Sequence, residues 1–264
     1  MRSLLYAFGF LTLAGCAAGT TGATAAAPQL RPEYESFIGE MVERHGFSQA
    51  ELEGVLGRAQ FQPKIIDAIS RPATSKPWYE FRPLLVTPQR VADGVVFWNN
   101  HASTLERARR EFGVPEEIIT AVIGVETNYG VQTGGHRVLD ALTTLAFGYP
   151  KRAPFFREEL EHYLLLGREQ RADILGIKGS YAGAMGIPQF MPSSYRRYAV
   201  DFDHDGKVDL AGSAVDAIGS VGNYLKGYGW EAEQTIAVPA LVNGGNYAEA
   251  IYAGERPRYT VEKL

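Results

Sequence analysis

Apolar residues recur at three- and four-residue intervals along most of the chain, the spacing of helices that bury one face. Between residues 33 and 70 three such stripes follow one another: Phe37, Ile38, Met41 and Val42, then Leu52, Val55, Leu56 and Ala59, then Ile65, Ile66 and Ile69. They predict a small helical bundle, whose second helix opens on a capping box of Ser48 and Glu51. Pro72, Pro77, Pro83 and Pro88 punctuate the next stretch, which reads as extended loop. Trp78, Tyr79 and Phe81 within it either line a cleft or pack against the helix that follows. From Pro88 a long amphipathic helix with Val91, Val95, Leu105 and Ala108 runs to about Gly113. A shorter one begins at Pro115, with Glu116 and Glu117 complementing its positive end, and stops at Gly130 in a left-handed cap. Val138 to Phe147 is an apolar helix closed by Gly148-Tyr149-Pro150. Pro154 opens another, with Leu160, Tyr163, Leu164 and Leu165 inside, and Ala214 to Lys226 forms a last one around Ile218, Val221, Tyr224 and Leu225. The fold class is mainly α.

The beginning of the chain breaks this pattern. Met1-Arg2-Ser3 is a short basic lead and Leu4 to Leu13 an apolar run of signal-peptide length, too short to span a bilayer as a mature helix. It ends in Leu13-Ala14-Gly15-Cys16, which resembles the lipobox of bacterial lipoproteins, where the cysteine is lipid-modified and becomes the mature N-terminus. Cys16 is the only cysteine in 264 residues, so the exported fold has no disulfides and rests on its core. The alternative is an ordinary signal peptide with an incidental cysteine. Ala17 to Pro28 carries no charge and is rich in Ala, Thr and Gly, the composition of a flexible tether. The division is therefore a lipoprotein signal over 1–15, a tether over 16–29, an N-terminal helical region over 30–85 and a larger domain over 86–264. A net charge of −4, without a Lys/Arg run, argues against nucleic acid as a partner.

Three stretches carry candidate chemistry. Continuing the stripe Ile119, Val122, Ile123 lands on Glu126, which puts a carboxylate on the buried face. Burial raises a carboxyl pKa and keeps the proton available for donation, as a general acid requires; the other reading is a buried acid held by an arginine or by backbone donors. Residues 179–195 form a glycine-rich run in which Ser180, Tyr181 and Gln189 offer the hydroxyl and amide groups that read sugar hydroxyls and acetamides. That run is either the wall of a binding groove or a tight loop with Met185, Phe190 and Met191 as core. Residues 201–209, D-F-D-H-D-G-K-V-D, match the first part of an EF-hand. Asp201, Asp203 and Asp205 stand at positions 1, 3 and 5, Lys207 offers a main-chain carbonyl, and Asp209 follows at position 9. Position 12 is Gly212, so the closing ligand comes from elsewhere. Asp216 is the nearest acid downstream, although Ser213 and Asp216 also make a capping box for the last helix. His204 reads as a solvated turn residue.

Gly124 to Gly130 (G-V-E-T-N-Y-G), Leu142 to Arg152 (L-T-T-L-A-F-G-Y-P-K-R) and G-S-Y-A-G-A-M-G-I-P-Q-F-M-P-S-S-Y from Gly179 resemble the lytic murein transglycosylase B family in order and spacing, over about Arg90 to Trp230. The resemblance implies a lysozyme-like helical catalytic core in the periplasm. It implies cleavage of the β-1,4 bond between N-acetylmuramic acid and N-acetylglucosamine in peptidoglycan without water, leaving a 1,6-anhydromuramic end, with Glu126 as acid and then base. Ser180, Tyr181, Gln189, Phe190, Met191 and Tyr224 would line sugar subsites, and Lys151 and Arg152, otherwise a solvated turn, would meet lactyl or stem-peptide carboxylates. It also implies a structural calcium ion in the 201–216 loop and no cofactor for the chemistry. Partners would be glycan strands and, through Cys16, a membrane; Ala17 lacks the aspartate of inner-membrane retention, which favours the periplasmic face of the outer membrane. Family members usually continue well beyond Trp230, so a chain that stops at Leu264 reads as either a shortened member or an incomplete sequence. Two rivals remain at this point: a peptidoglycan-binding lipoprotein without turnover, and a muramidase using water.

Overall fold

The computed structural model describes residues 31–71, 76–239, 241, 243–245, 247 and 260. The signal, the tether and Cys16 lie outside the described residues. The chain divides after Ala59 into two units.

In the first unit, a 3₁₀ turn at Pro32–Tyr34 leads into α1 (Glu35–His45), and α2 (Gln49–Leu56) packs against it. Tyr34, Phe37, Ile38, Met41, Phe47, Leu52 and Leu56 are its buried side chains. Gly46 ends α1 with φ 64°, a left-handed cap. Ser48 sits at the N-cap of α2 with no side-chain cap bond, so the expected capping box does not form.

The second unit begins sooner than residue 86. Helix α3 (Pro63–Ser70) packs on a helix of this unit, α8 (Val138–Gly148). The reason is polar as well as apolar. The backbone N–H of Gln60 donates to Asp140 at 2.8 Å and that of Gln62 to Thr144 at 3.0 Å, while Phe61 and Ile66 close over Gly148. Residues 78–85 are not extended: they form α4 (Trp78–Leu85), with Pro77 at the N-cap and Pro83 late enough to remove a single hydrogen bond. Nothing in α4 is buried, and Trp78 and Tyr79 are exposed instead of packing on the next helix.

The long helix from Pro88 is two helices, α5 (Pro88–Asn100) and α6 (Ala102–Phe112), broken at His101. Leu105 and Ala108 are buried as expected, but Val91 and Val95 face outward, and Gly94 and Phe97 supply the inner face of α5. There α7 (Glu116–Thr127) crosses α5. The Tyr129 ring lies 5.3 Å from that of Phe97, and its hydroxyl donates to the Arg90 carbonyl at 3.1 Å. That hydroxyl occupies the space a β-carbon would need at both Gly94 and Gly124.

Helix α8 is buried from Val138 to Ala146, as an all-round apolar helix must be, and α9 (Ala153–Gln170) lies along it. Two-residue strands β1 (His136–Arg137) and β2 (Lys178–Gly179) pair antiparallel, with His136 opposite Gly179. Helix α10 (Pro192–Tyr198) bridges α9 and α11 (Ala214–Gly227), and α11 packs on α6 and α7. One core joins Phe97, Leu105, Phe112, Ile119, Ile123, Ile218 and Val221; a smaller one joins Phe190, Tyr198 and Leu210. No helix among the described residues is long and apolar enough to cross a membrane.

Gly124→Ala should destabilise the protein by about 1–3 kcal/mol in chemical denaturation, because the new methyl collides with Tyr129. Adding Tyr129→Phe should recover part of that loss, and a strictly additive double variant would show that the collision is not the cause.

Candidate active site

Helix α7 brings Glu126 to its last turn. The buried stripe runs Ile119, Ile123, Thr127, with Thr120 and Gly124 beside it, while Glu126 emerges on the edge of that stripe with solvent on its open side. The expectation of a carboxylate on the buried face is corrected, since Glu126 is an exposed residue: angular position puts it near Ile119, but the packing over Ile119 does not reach a further two turns. Protein still crowds the carboxyl on its inner side, and this desolvation raises its pKa above the ordinary glutamate value. No charged side chain among the described residues contributes to that shift, and none of them donates a hydrogen bond to it. The reading of a carboxylate held by an arginine is thereby set aside.

The chain leaves α7 through three successive left-handed residues, Asn128 (φ 50°), Tyr129 (φ 60°) and Gly130 (φ 90°), so Asn128 and not Gly130 is the cap. Thr127, the neighbour of Glu126, is 1% exposed. Its hydroxyl donates to the Ile187 carbonyl at 2.7 Å and accepts from the Gly130 N–H at 3.0 Å. The Ile187 N–H donates in turn to the Leu210 carbonyl at 2.7 Å. Gly186, at φ 71°, makes room for this approach, since a β-carbon there would stand 2.5 Å from the Leu210 oxygen. The end of α7 is thus bonded to the glycine-rich run, and the run to the loop after Asp209.

That run presents specific free valences. The Ser180 hydroxyl accepts from the N–H groups of Ala182 and Ala184 at 3.2 and 3.1 Å, which fills its acceptor positions and leaves its proton to donate. Gln189 spends both protons of Nε2 on the carbonyls of Thr133 and Gly186, at 3.0 and 2.9 Å, which leaves Oε1 to accept. Tyr181 and Met191 are half-buried. Phe190 is a core residue, and its ring lies 5.1 Å from that of Tyr224. Tyr224, on α11, is near enough to Glu126 for that charge to act on its phenol; desolvation is the larger cause of its raised pKa. Lys151 and Arg152 are exposed in a 3₁₀ turn before α9, with the Arg152 guanidinium 4.4 Å from the Phe155 ring.

In the acidic loop, Asp201, Asp203 and Asp205 bring one carboxylate oxygen each within 4.8 Å of one another. The turn that gathers them has His204 at φ 62° and Gly206 at φ 91°, and the Asp201 carboxylate accepts the N–H groups of Asp205 and Gly206. Three hard oxygen donors on a tight turn fit a calcium ion. Asp209 and Asp216 lie outside this group of side-chain oxygens. The Lys207 N–H donates to Asp205, and Asp209 accepts from the N–H groups of Ala211 and Gly212. Asp216 is buried, with one oxygen on the Phe202 N–H at 2.7 Å and the other on the Asp209 N–H at 2.8 Å. It clamps both ends of the loop through the backbone, and Asp203 of the cluster lies near enough for its charge to act on it. Ser213 does cap α11, accepting from the Asp216 N–H.

The transglycosylase SLT domain model matches residues 29–263. The chain belongs to this family. It is 44% identical over 243 residues to membrane-bound lytic murein transglycosylase B of Escherichia coli, an alignment that takes in 88% of this chain and 66% of that protein's length. The structure of soluble lytic transglycosylase SltB1 from Pseudomonas aeruginosa is similar with a TM-score of 0.74 at 52% identity, covering 77% of this chain and 69% of that one. Escherichia coli lytic transglycosylase Slt35 in complex with calcium matches with a TM-score of 0.73 at 42% identity, over 87% of this chain and 76% of that one. The SLT domain thus has here the mainly α, lysozyme-like core that the motifs imply.

Within this SLT domain, sequence reasoning missed Thr127 and Tyr129. The four-residue step from Ile123 to Thr127 was the available signal for the first; for Tyr129 there was only the pairing of Gly94 with Gly124, which no local pattern reveals.

A raised folded-state pKa at Glu126 has a defined effect on stability. Below the ordinary glutamate range the group is protonated in both states; as pH rises from there through the raised value, the unfolded chain ionises first and the folded state loses stability. Glu126→Gln should therefore melt higher than the parent at neutral pH and together with it in acid, as thermal scans across pH would record. A higher melting point for the parent at neutral pH would contradict the desolvation.

Proposed function

We propose that the chain is a lytic transglycosylase that cuts the β-1,4 bond between N-acetylmuramic acid and N-acetylglucosamine in peptidoglycan and leaves a 1,6-anhydromuramic end. The observation that carries this reading is the partly desolvated Glu126 carboxyl, unpaired among the described residues, at the end of a helix whose Thr127 is bonded to a run of uncharged donors and acceptors. With its pKa raised by its surroundings, Glu126 donates its proton to the glycosidic oxygen as that bond breaks. The resulting carboxylate takes the proton of the C6 hydroxyl while its oxygen closes on C1, so one residue serves as acid and then as base. Hydrolysis would call for a second carboxyl to activate water or to form a covalent intermediate, whereas substrate-assisted chemistry does not. Ser180 and Gln189 would orient an acetamide or hydroxyl through the proton and the oxygen they leave free. Tyr224 would line the same subsite, together with Tyr181, Met191 and the edge of Phe190, and Lys151 and Arg152 would meet carboxylates borne by the strand.

Calcium would be held by Asp201, Asp203 and Asp205, and its contribution would be to fix a loop that is bonded through Leu210 to the site wall. Asp203 also accepts from Ser213 at the head of α11, so the ion would brace that helix as well. Lipid modification of Cys16 would anchor the chain to the periplasmic face of the outer membrane.

Mass spectrometry of the soluble products from purified peptidoglycan tests the reaction: anhydro ends from the parent and none from Glu126→Gln are expected, and reducing ends would mean hydrolysis. A chelator should lower the melting temperature and added calcium should restore it; an unmoved transition would sink the metal assignment. Cys16→Ser should shift the protein from the membrane to the soluble fraction, and continued sedimentation with membranes would refute the anchor.

A further inference from the structure

We propose that the cavity between α9, α10 and the end of α11 is an outer subsite that holds a sugar unit of the glycan strand remote from the bond that is cut. The proposal rests on the reading of this chain as glycan-cleaving. The cavity has a volume of about 460 Å³ and is lined by Glu158 and His162 of α9, Ser193, Ser194 and Arg197 of α10, and Tyr228. It contains neither Glu126 nor any of the three clustered aspartates, and its size is that of a small-molecule site.

A row of aromatic rings connects it with the reacting carboxyl. Tyr224, which feels the charge of Glu126, has its ring 4.6 Å from that of Tyr228, one helical turn further along α11. Phe190 and Tyr198 back this pair at 5.1 and 5.3 Å from Tyr224, and both are buried. Tyr228 is 66% exposed, so its ring offers an open face. An aromatic face with a hydroxyl at its rim suits a pyranose ring, whose C–H groups lie on one side and whose hydroxyls point outward. Another wall carries Glu158 and His162, four residues apart on one face of α9.

The polar groups select a neutral ligand. Arg196 is neutralised by Glu169, with Nε and Nη2 on the two carboxylate oxygens at 2.9 and 2.6 Å. Its Nη1 faces His162 Nδ1 at 2.5 Å. A guanidinium only donates, so Nδ1 must accept and the imidazole carries its proton on Nε2, where it is a donor. Glu158 and Arg197 contribute one charge of each sign. Balanced charge, two serine hydroxyls, an imidazole donor and an open aromatic face match the hydroxyls and acetamide of an N-acetylated sugar better than a polyanion. Holding such a remote sugar would let a strand bring its binding energy to the bond being broken.

The test uses the Glu126→Gln protein, which leaves its ligand uncut, and titration calorimetry with a tetrasaccharide and an octasaccharide of alternating N-acetylglucosamine and N-acetylmuramic acid. Adding Tyr228→Ala should weaken octasaccharide binding about tenfold and leave tetrasaccharide binding unchanged. Ser194→Phe, which fills the cavity while leaving Tyr224 and Tyr228 in place, should do the same, and matching melting curves would show that both variants fold. Equal weakening at both lengths, or none at either, would overturn the subsite. If the parent cuts peptidoglycan while the variants keep the length preference, the subsite alone falls; if the parent neither cuts it nor, as Glu126→Gln, binds either oligosaccharide, the functional reading falls with it.

Discussion

The hydrogen bond from the Thr127 hydroxyl to the Ile187 carbonyl is the constraint on which the site depends. Helix α7 ends in three left-handed residues, so its last turn has no regular continuation to hold it. A buried hydroxyl that donates to one loop and accepts from the returning chain supplies that hold. Leaving the same groups buried and unpaired would cost about 1–3 kcal/mol each, which makes the arrangement self-enforcing. From Ile187 the connection passes to Leu210, and the Leu210 side chain packs with Phe190 and Tyr198. Glu126 is therefore placed by α7, the glycine-rich run by Thr127, and the loop of aspartates by both, although these segments are far apart in sequence.

The chemistry follows from what this frame withholds from Glu126. A carboxylate beside an arginine, or accepting backbone N–H groups, is held ionised, as with Glu169 beside Arg196, whose hydrogen bond pulls the glutamate pKa down. Among the described residues Glu126 has neither partner, and partial desolvation pushes its pKa upward. Asp216 shows the intermediate case: burial raises its pKa, and backbone donors work against that rise. Three carboxyl groups thus differ through their neighbours alone, and only Glu126 is both disposed to keep its proton and open to a substrate.

Much of this was legible in the sequence where a local pattern coincides with a physical requirement. Helix α8 is apolar on every side and is buried on every side; Asp201, Asp203 and Asp205 alternate on a turn that Gly206 permits, and they gather. The misses share one origin, which is that periodicity shows a face without showing what covers it. Val91 and Val95 make a stripe, yet Gly94 and Phe97 are the side that meets α7. Proline density read as loop at 77–88, where Pro77 and Pro88 instead stand at helix starts and Pro83 falls in a last turn. The clamp that Asp216 makes was equally hidden, because only the folded loop brings the Phe202 and Asp209 N–H groups onto its oxygens.

The central claim is that desolvation without a paired charge raises the pKa of Glu126. Carbon-13 labelling of glutamate, with Glu126→Gln to assign the resonance, would follow its carboxyl through a pH titration by NMR. The account predicts a midpoint displaced upward from the range of the other glutamates, whereas a midpoint within or below that range would contradict it.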